Sequence, residues 1–273
     1  GVLPAAEPDS AAGRSGGRGA AAVIAEELPD GFVLHALDRV DSTNDEARRM
    51  AEAGARPGLV VLAGEQTSGR GRHGRAWASP AGNLYASVLL RAEGPLAASA
   101  QLSFVAGLSL ADALERHAPD GALLRLKWPN DVLIGRAKVA GILLESATGS
   151  DGAAAVIVGT GVNIVSCPRD TAYPATSLAE QGFAAITPRA LLGAYLRALD
   201  HWLGQWREVG FAAVRTAWCA RGFGLGEQIG LRLAREELFG RFVDVTPSGA
   251  LLLDLDSGGR REIAAGDVFY PSR

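Results

Sequence analysis

Between positions 123 and 159 the chain sets four strand-length apolar runs in close succession, at residues 123–127, 132–134, 139–144 and 154–159. Gly135-Arg136 folds the second run back on the third as a tight turn, which makes that pair a hairpin. Hairpin-linked strands interleaved with separate helices predict an α+β fold and argue against a doubly wound parallel sheet. The other elements must arrange themselves around this group.

Upstream, the apolar stretch 32–40 reads as a strand. It runs into Asp41-Ser42-Thr43-Asn44, and Glu46 stands three residues after Thr43, the pattern of a capping box opening a helix that ends near Gly54. Pro57-Gly58 turns the chain into a strand at 59–63, a loop crowded with glycine and arginine occupies 64–80, and alternation predicts a strand at 84–90. Residues 99–117 carry Leu102, Val105, Ala106, Leu110, Ala113 and Leu114 at helical spacing, and Pro119-Asp120-Gly121 stops the helix. Pro188 opens a long amphipathic helix to about Glu208, followed by another over 211–221.

From about residue 225 the texture changes to short strands at 229–233, 238–245, 251–254 and 261–264, separated by Pro-Ser-Gly and Ser-Gly-Gly turns. Even spacing of short strands predicts a small β barrel or sandwich of about fifty residues. The expected organisation is a tail over 1–30, a main domain over 31–224 and a small β domain over 225–273. The tail is too rich in Ala, Gly and Arg to offset its ordering entropy, and it lacks the continuous apolar segment of a secretory signal.

Composition excludes several classes of function. With 27 basic and 30 acidic residues the net charge is −3, so the surface as a whole does not attract nucleic acid. The two cysteines, Cys167 and Cys219, lie far apart without metal-ligand spacing, which suits a reducing cytoplasm and argues against a disulfide framework or zinc site. No apolar run reaches membrane-spanning length. No paired carboxylates, Cys–His arrangement or His-Glu-x-x-His pattern supports a hydrolase or a metalloenzyme, and no resident metal is expected.

The densest chemical signal is the segment from Gly64 to Trp77, which contains Gly69-Arg70-Gly71-Arg72-His73-Gly74-Arg75. Glycines at 69, 71 and 74 permit positive-φ backbone and inward N–H groups, while Arg70, Arg72 and Arg75 offer planar donor forks to phosphate or carboxylate. A solvated turn would explain the glycines but not the interleaved arginines. Gly-Lys-Ser/Thr is missing, so the loop is not a Walker A motif. A second signal, Lys127-Trp128-Pro129-Asn130-Asp131, is a stiff corner presenting Asn130 and Asp131, although such a corner taken alone is more often just a turn. Lys138 opens the run Val139-Ala140-Gly141-Ile142-Leu143-Leu144, where it can equally be a surface residue. Gly141 permits close approach of a ligand, or marks a bulge. Gly159-Thr160-Gly161-Val162-Asn163 after an apolar strand is a weaker signal of the same kind.

Taken in order, Ser-Thr-Asn, Gly-Arg-Gly-Arg-x-Gly-Arg-x-Trp, Asn-Leu-Tyr, Lys-Trp-Pro-Asn-Asp, Lys-x-Ala-Gly-Ile-Leu and Gly-x-Gly-x-Asn resemble the biotin protein ligase family, biotin–[acetyl-CoA-carboxylase] ligases. The resemblance runs from Asp41 to Asn163 and extends to the small C-terminal domain. It implies a central mixed β-sheet with helices packed on one side, like class II aminoacyl-tRNA synthetases, and a C-terminal SH3-like β barrel. It also implies the reaction: biotin and ATP give biotinyl-5′-AMP and pyrophosphate, with Mg²⁺ offsetting phosphate charge. Biotin then passes to a lysine of a biotin carboxyl carrier protein of an acyl-CoA carboxylase.

Residue by residue, the family's pattern places Ser42, Thr43 and Gln66 on the ureido ring of biotin, with Asn44 and Gly141 among the biotin contacts. Arg70 and the backbone at Gly69 would also meet biotin, Arg72 would hold the adenylate, and Trp77 would cover it. Arg75 and Asn130 join the expected ATP contacts, and Asn163 would face the adenine. Lys138 would approach the biotin carboxylate and the α-phosphate; it, Arg72 and Asp131 are the expected catalytic group, Asp131 to orient Lys138 or the incoming lysine. His73 stands where the family commonly has a basic residue.

Some members carry an N-terminal winged helix-turn-helix and repress transcription. About thirty residues of tail stand in its place here, so no DNA-binding role is expected. An exposed sheet edge can support a homodimer in this family. The rivals are a lipoate ligase or octanoyl transferase, whose Arg-Arg-x-Ser-Gly-Gly-Gly loop or matching cysteine is absent, and an RNA-binding protein using the glycine-arginine segments.

Overall fold

In a computed structural model, the parallel neighbours β1 (Val33–Val40) and β2 (Leu59–Gln66) are joined by α1 (Thr43–Glu52), the crossover that parallel pairing requires. Every other contact in the same sheet is antiparallel: β3 (Leu84–Arg91), β4 (Leu124–Lys127), β5 (Asp131–Ile134), β6 (Ala137–Thr148) and β7 (Ala154–Val162) complete seven strands in the order β1-β2-β3-β7-β6-β5-β4. The sheet is therefore mixed, with its parallel pair at one edge. The structure describes residues 28–93, 96–171 and 173–270, so residues 1–27 of the expected tail lie outside it.

The helices do not share one side. Successive strand residues point to opposite faces, and the two faces here have different cores. On one face Val60, Val88, Val156 and Val158 join α2 (Leu102–Glu115), α3 (Pro188–Glu208) and α4 (Phe211–Arg221) in the main core. On the other, Val61, Leu89 and Ile157 meet Ala47 and Ala51 of α1, which packs there alone among the described helices. The expectation of helices on one side thus holds for three helices and fails for α1, because a crossover between parallel edge strands must lie across one face of the sheet.

α2 is buried almost all round, including Ser103, Gly107 and Ser109, since it lies between the sheet and the α3–α4 layer. The Ser109 hydroxyl meets its burial requirement by donating to the Val105 carbonyl at 2.7 Å. Thr187 caps α3 by accepting from the Ala190 N–H, with Pro188 as its first residue, as the sequence predicts.

The C-terminal strands form a separate antiparallel sheet of β8 (Gln228–Arg232), β9 (Glu237–Val245), β10 (Leu251–Leu255), β11 (Arg260–Ile263) and β12 (Asp267–Phe269), in the order β11-β10-β9-β8-β12. This is the SH3-like part of the fold. Sequence periodicity missed β12, which is too short to show alternation. The sheet's apolar face, with Leu231, Phe242, Leu253 and Val268, continues into the main core. Phe104 of α2 stacks edge-on against Phe211 and Trp218 of α4 at 5.2 and 5.1 Å, and the Trp128 indole donates to the Gly249 carbonyl at 3.1 Å. Among the described residues no helix is long and apolar enough to cross a membrane.

Candidate active site

A cavity of about 350 Å³ opens between the N-terminus of α1, the segment 70–78, the facing strands β6 and β7, and β12 of the C-terminal sheet. Its first wall is polar and uncharged. Ser42, in extended backbone at φ −153°, is the N-cap of α1 and accepts from the Asp45 N–H at 3.5 Å. The cap is therefore Ser42 and not Thr43: the expected Thr43–Glu46 capping box gives way to a helix starting one residue earlier, and Glu46 instead accepts from Arg49. Thr43, freed from capping, donates its N–H and its hydroxyl to Gln66 Oε1 at 2.8 and 3.1 Å. The buried Ser87 hydroxyl lies 2.7 Å from Thr43 Oγ1 and 2.6 Å from Asn44 Oδ1, and Asn44 Nδ2 donates to Glu145 at 2.7 Å. Gln66 is held in turn by Ser79 at 3.0 Å. Each side chain of this wall is locked by a neighbour, which preorganises the pocket for a compact, hydrogen-bonding ring.

Asn44 fits only because β7 has a glycine beneath it: a Cβ at Gly159 would stand 2.3 Å from Asn44 Oδ1. We expect Gly159→Ala to push Asn44 off both Ser87 and Glu145 and to cost about 1–3 kcal/mol of stability, read as a lower urea midpoint at unchanged slope. An unchanged midpoint would show that Asn44 relocates freely.

The glycine-arginine segment folds as a small hairpin: Arg70 pairs with Ala76, and the Gly71 and Trp77 N–H groups donate to the Arg75 and Gly69 carbonyls at 2.7 and 2.9 Å. Its tip is a short turn of 3₁₀ helix, Arg72–Gly74, in which His73 (φ 56°) and Gly74 (φ 70°) occupy the left-handed region. Positive φ at Gly69 and Gly71, expected from sequence, is not found. Gly69 is needed for closeness instead, since its Cβ would sit 2.5 Å from Ser79 Oγ and 2.6 Å from the Trp77 carbonyl. Gly69 does not line the cavity, whereas Arg70, Arg72, Arg75 and Trp77 do.

The three arginines have separate anchors. Arg70 forms a bidentate pair with Asp45 and reaches Glu145 at 3.4 Å, tying the hairpin to α1 and β6. Its guanidinium holds the Asp45 carboxyl below the usual carboxylate range. Arg72 donates to the Gly266 carbonyl at 3.1 Å and to Asp267 at 3.3 Å, and Arg75 donates to the other oxygen of Asp267 at 2.7 Å. Burial makes the Arg72 charge less favourable than in water, lowering its pKa despite Asp267.

The opposite wall is a cationic cluster. Asp131, at the start of β5, faces two lysines: Lys138 at 2.6 Å and Lys127 at 3.5 Å. Burial by itself would raise the Asp131 pKa, but the lysines outweigh it and hold the carboxyl below its ordinary value. Burial lowers the Lys127 pKa more than Asp131 raises it, and the ammonium also lies 4.3 Å from the Tyr173 ring centroid. Two ammonium groups around one carboxylate leave net positive charge facing the cavity, with Lys138 5.2 Å from the Trp77 ring centroid. That ring lies flat against the strands: a Cβ at Gly161 would stand 2.7 Å from the indole, and one at Gly141 3.2 Å. The glycine that sequence reading assigned to ligand approach thus admits Trp77. The Trp77 Nε1–H is buried without a hydrogen-bond partner among the described residues.

The two asparagines expected at the nucleotide, Asn130 and Asn163, do structural work. Asn130 donates to the Ile142 carbonyl at 2.6 Å, locking the corner after the cis Trp128–Pro129 peptide onto β6. Asn163 donates to the Thr176 carbonyl at 3.0 Å, holding the 174–176 segment whose backbone pairs with Lys138. Both also line the cavity. Sequence reading missed Lys127, Tyr173, Arg232, Asp267 and Phe269, which line it too. Lys127 stood inside a quoted motif without a role, Arg232 ends a strand whose apolar alternation says nothing of its other face, and Asp267 and Phe269 lie on β12, too short to show alternation at all.

The chain is similar to known proteins along most of its length. The Biotin/lipoate A/B protein ligase family matches residues 36–163, and the Biotin protein ligase C terminal domain matches residues 224–270. A biotin–[acetyl-CoA-carboxylase] ligase of Paracoccus denitrificans is 44% identical over 243 residues, 86% of this chain and 99% of that protein. Among solved structures, a biotin protein ligase from Aquifex aeolicus in complex with biotin and ATP superposes with a TM-score of 0.73 at 32% identity, covering 86% of this chain and 97% of that one. A biotin protein ligase from Leishmania major in complex with biotinyl-5-AMP does so at 0.60 and 29%, covering 85% and 98%.

Proposed function

This chain belongs to the biotin protein ligase family, and from that premise we infer the chemistry of its cavity. It is an ATP-dependent biotin protein ligase. Biotin's carboxylate oxygen attacks the α-phosphorus of ATP, the bond to the β-phosphate oxygen breaks, and pyrophosphate leaves biotinyl-5′-AMP. An acceptor lysine amine then attacks the biotinyl carbonyl carbon, AMP departs, and loss of a proton leaves an amide. The acceptor belongs to acetyl-CoA carboxylase, the substrate in the name of the Paracoccus relative. More narrowly, it is a lysine of a biotin carboxyl carrier domain.

The observation that carries this reading is the division of one cavity into an uncharged, fully bonded wall and a cationic one. The first, Ser42, Thr43, Asn44 and Gln66, suits the ureido ring. The second, Lys138 with Arg72 and Arg75 opposite, suits the gathering negative charge at the α-phosphate. Fixed cations aimed at that charge act without reorganising during reaction. In this assignment Asp131 holds Lys138 in place, and Trp77, its indole N–H unpaired among the described residues, closes over the intermediate and excludes water. Asn163 and Asn130 back the adenine side. Arg70, engaged by Asp45 and Glu145, positions the hairpin whose backbone meets biotin. Among the described residues no group of three or more His, Cys, Asp or Glu side chains is placed to hold a metal. A Mg²⁺ ion brought with ATP would offset the triphosphate's negative charge, and Asp131 and Asp267 are the carboxylates lining the cavity.

The test is intact mass of an apo carrier domain incubated with this protein, ATP, Mg²⁺ and biotin. A gain of one biotinyl group that requires ATP is expected. A gain with lipoate and none with biotin would move the chain to the lipoate branch, and no gain with either would overturn the reading.

A further inference from the structure

We propose that Asp267 is a positioning residue through which the C-terminal sheet sets the arginine hairpin over the cavity, making that sheet a working part of adenylate formation. The proposal rests on the ligase reading and goes beyond it by giving the C-terminal module a named task. Trp77 packs the base of the hairpin on Gly141 and Gly161, but among the described residues the tip has no apolar anchor: Arg75 is 61% exposed as a side chain. The hairpin is pinned at its base by the Arg70–Asp45 pair and near its tip by Asp267.

Asp267 is well placed to serve as the second pin. It opens β12, where its backbone pairs with Arg232 of β8 and its neighbour Val268, fully packed, pairs with Leu231. The carboxylate therefore stands on a strand fixed by core packing and not on a loose turn. Each oxygen takes one guanidinium, Oδ1 that of Arg72 and Oδ2 that of Arg75, and the preceding Gly266 carbonyl accepts from the same Arg72 nitrogen as Oδ1. A guanidinium has five N–H donors, so these contacts orient Arg72 while leaving donors for an anion in the cavity. Without the carboxylate the two arginine charges face each other uncompensated, and a tip displaced by about 1 Å can cost on the order of 100-fold in rate.

The experiment measures biotin-dependent pyrophosphate release by the full chain, biotin binding by calorimetry, and tryptic cleavage after Arg72 and Arg75. Relative to wild type, Asp267→Ala and Asp267→Asn should lower kcat/KM for ATP by roughly 10- to 100-fold. Their biotin affinity and melting temperature should stay near wild type, and cleavage at the hairpin should speed up several-fold. Asp267→Glu should restore much of both. Turnover of ATP by Asp267→Ala within about twofold of wild type, or a loss shared by biotin binding and melting temperature, would overturn the proposal. Failure of the wild-type protein itself to release pyrophosphate would sink the ligase reading instead, and the cleavage rates would still decide whether Asp267 holds the hairpin.

Discussion

Replacing Lys138 with alanine should reduce biotin-dependent pyrophosphate release by roughly 100- to 1,000-fold, the loss usual when one preorganised donor to developing charge is removed. The side chain is 25% exposed and reaches the cavity from the second residue of β6, so its truncation opens no core void. Secondary structure and melting behaviour should therefore survive. Lys138→Arg keeps the charge but replaces a compact ammonium by a wider fork and should recover only part of the rate. The measurement is single-turnover formation of biotinyl-5′-AMP, with calorimetric biotin binding as a control. If Lys138→Ala still forms the adenylate within fivefold of wild type, the positive charge in this cavity acts through Lys127 and the arginines, and the assignment of Lys138 falls.

Asp131→Ala should affect stability more than any other single change at the site, by about 3–5 kcal/mol, because it strands two ammonium groups that share one buried counter-charge. Lys127, only 7% exposed, bears most of that penalty. The same pair gives a pH signature. The folded Asp131 carboxyl titrates below its unfolded value of about 4, so its contribution is fully present above that pH. It is lost as pH falls through the lower, folded pKa. Asp131→Asn should flatten that part of the acid limb, measured as urea midpoints between pH 2 and 6, while wild type declines. Equal acid limbs, or a loss below 1 kcal/mol for the alanine variant at neutral pH, would show that the lysines find other partners.

Much of the site was legible because its parts are local in sequence. The Gly-Arg hairpin, the Lys127–Asp131 corner and the start of β6 each occupy a short stretch, and all but Gly69 of the residues assigned from them line the cavity. What was not legible is long-range. Asp267 reaches Arg72 and Arg75 from more than 190 positions away, and nothing in a three-residue strand announces that its first carboxylate faces a loop. The capping position was misjudged by one residue because Ser42 and Thr43 are both good caps, and only the Gln66 side chain, 23 residues on, claims Thr43 for itself. The side taken by α1 was missed for a similar reason. Its buried apolar residues are Ala47 and Ala51, too small for periodicity to reveal which face of the sheet they meet.

Those alanines have a consequence for how the two faces of the sheet can change over evolutionary time. Beneath α2, α3 and α4, branched and aromatic side chains interlock, and such a layer tolerates exchange among hydrophobes so long as volume is conserved. Beneath α1 the sheet offers Leu59, Val61, Leu89 and Ile157, but the helix meets them chiefly through Ala47 and Ala51, so its own side has little volume to exchange. Its seat is set by Asn44 on Ser87, Thr43 on Gln66 and Asp45 on Arg70, bonds that depend on direction and not on bulk. The face that carries the polar wall of the cavity is therefore the one where substitutions must be nearly isosteric. The opposite face can exchange one hydrophobe for another so long as volume is kept.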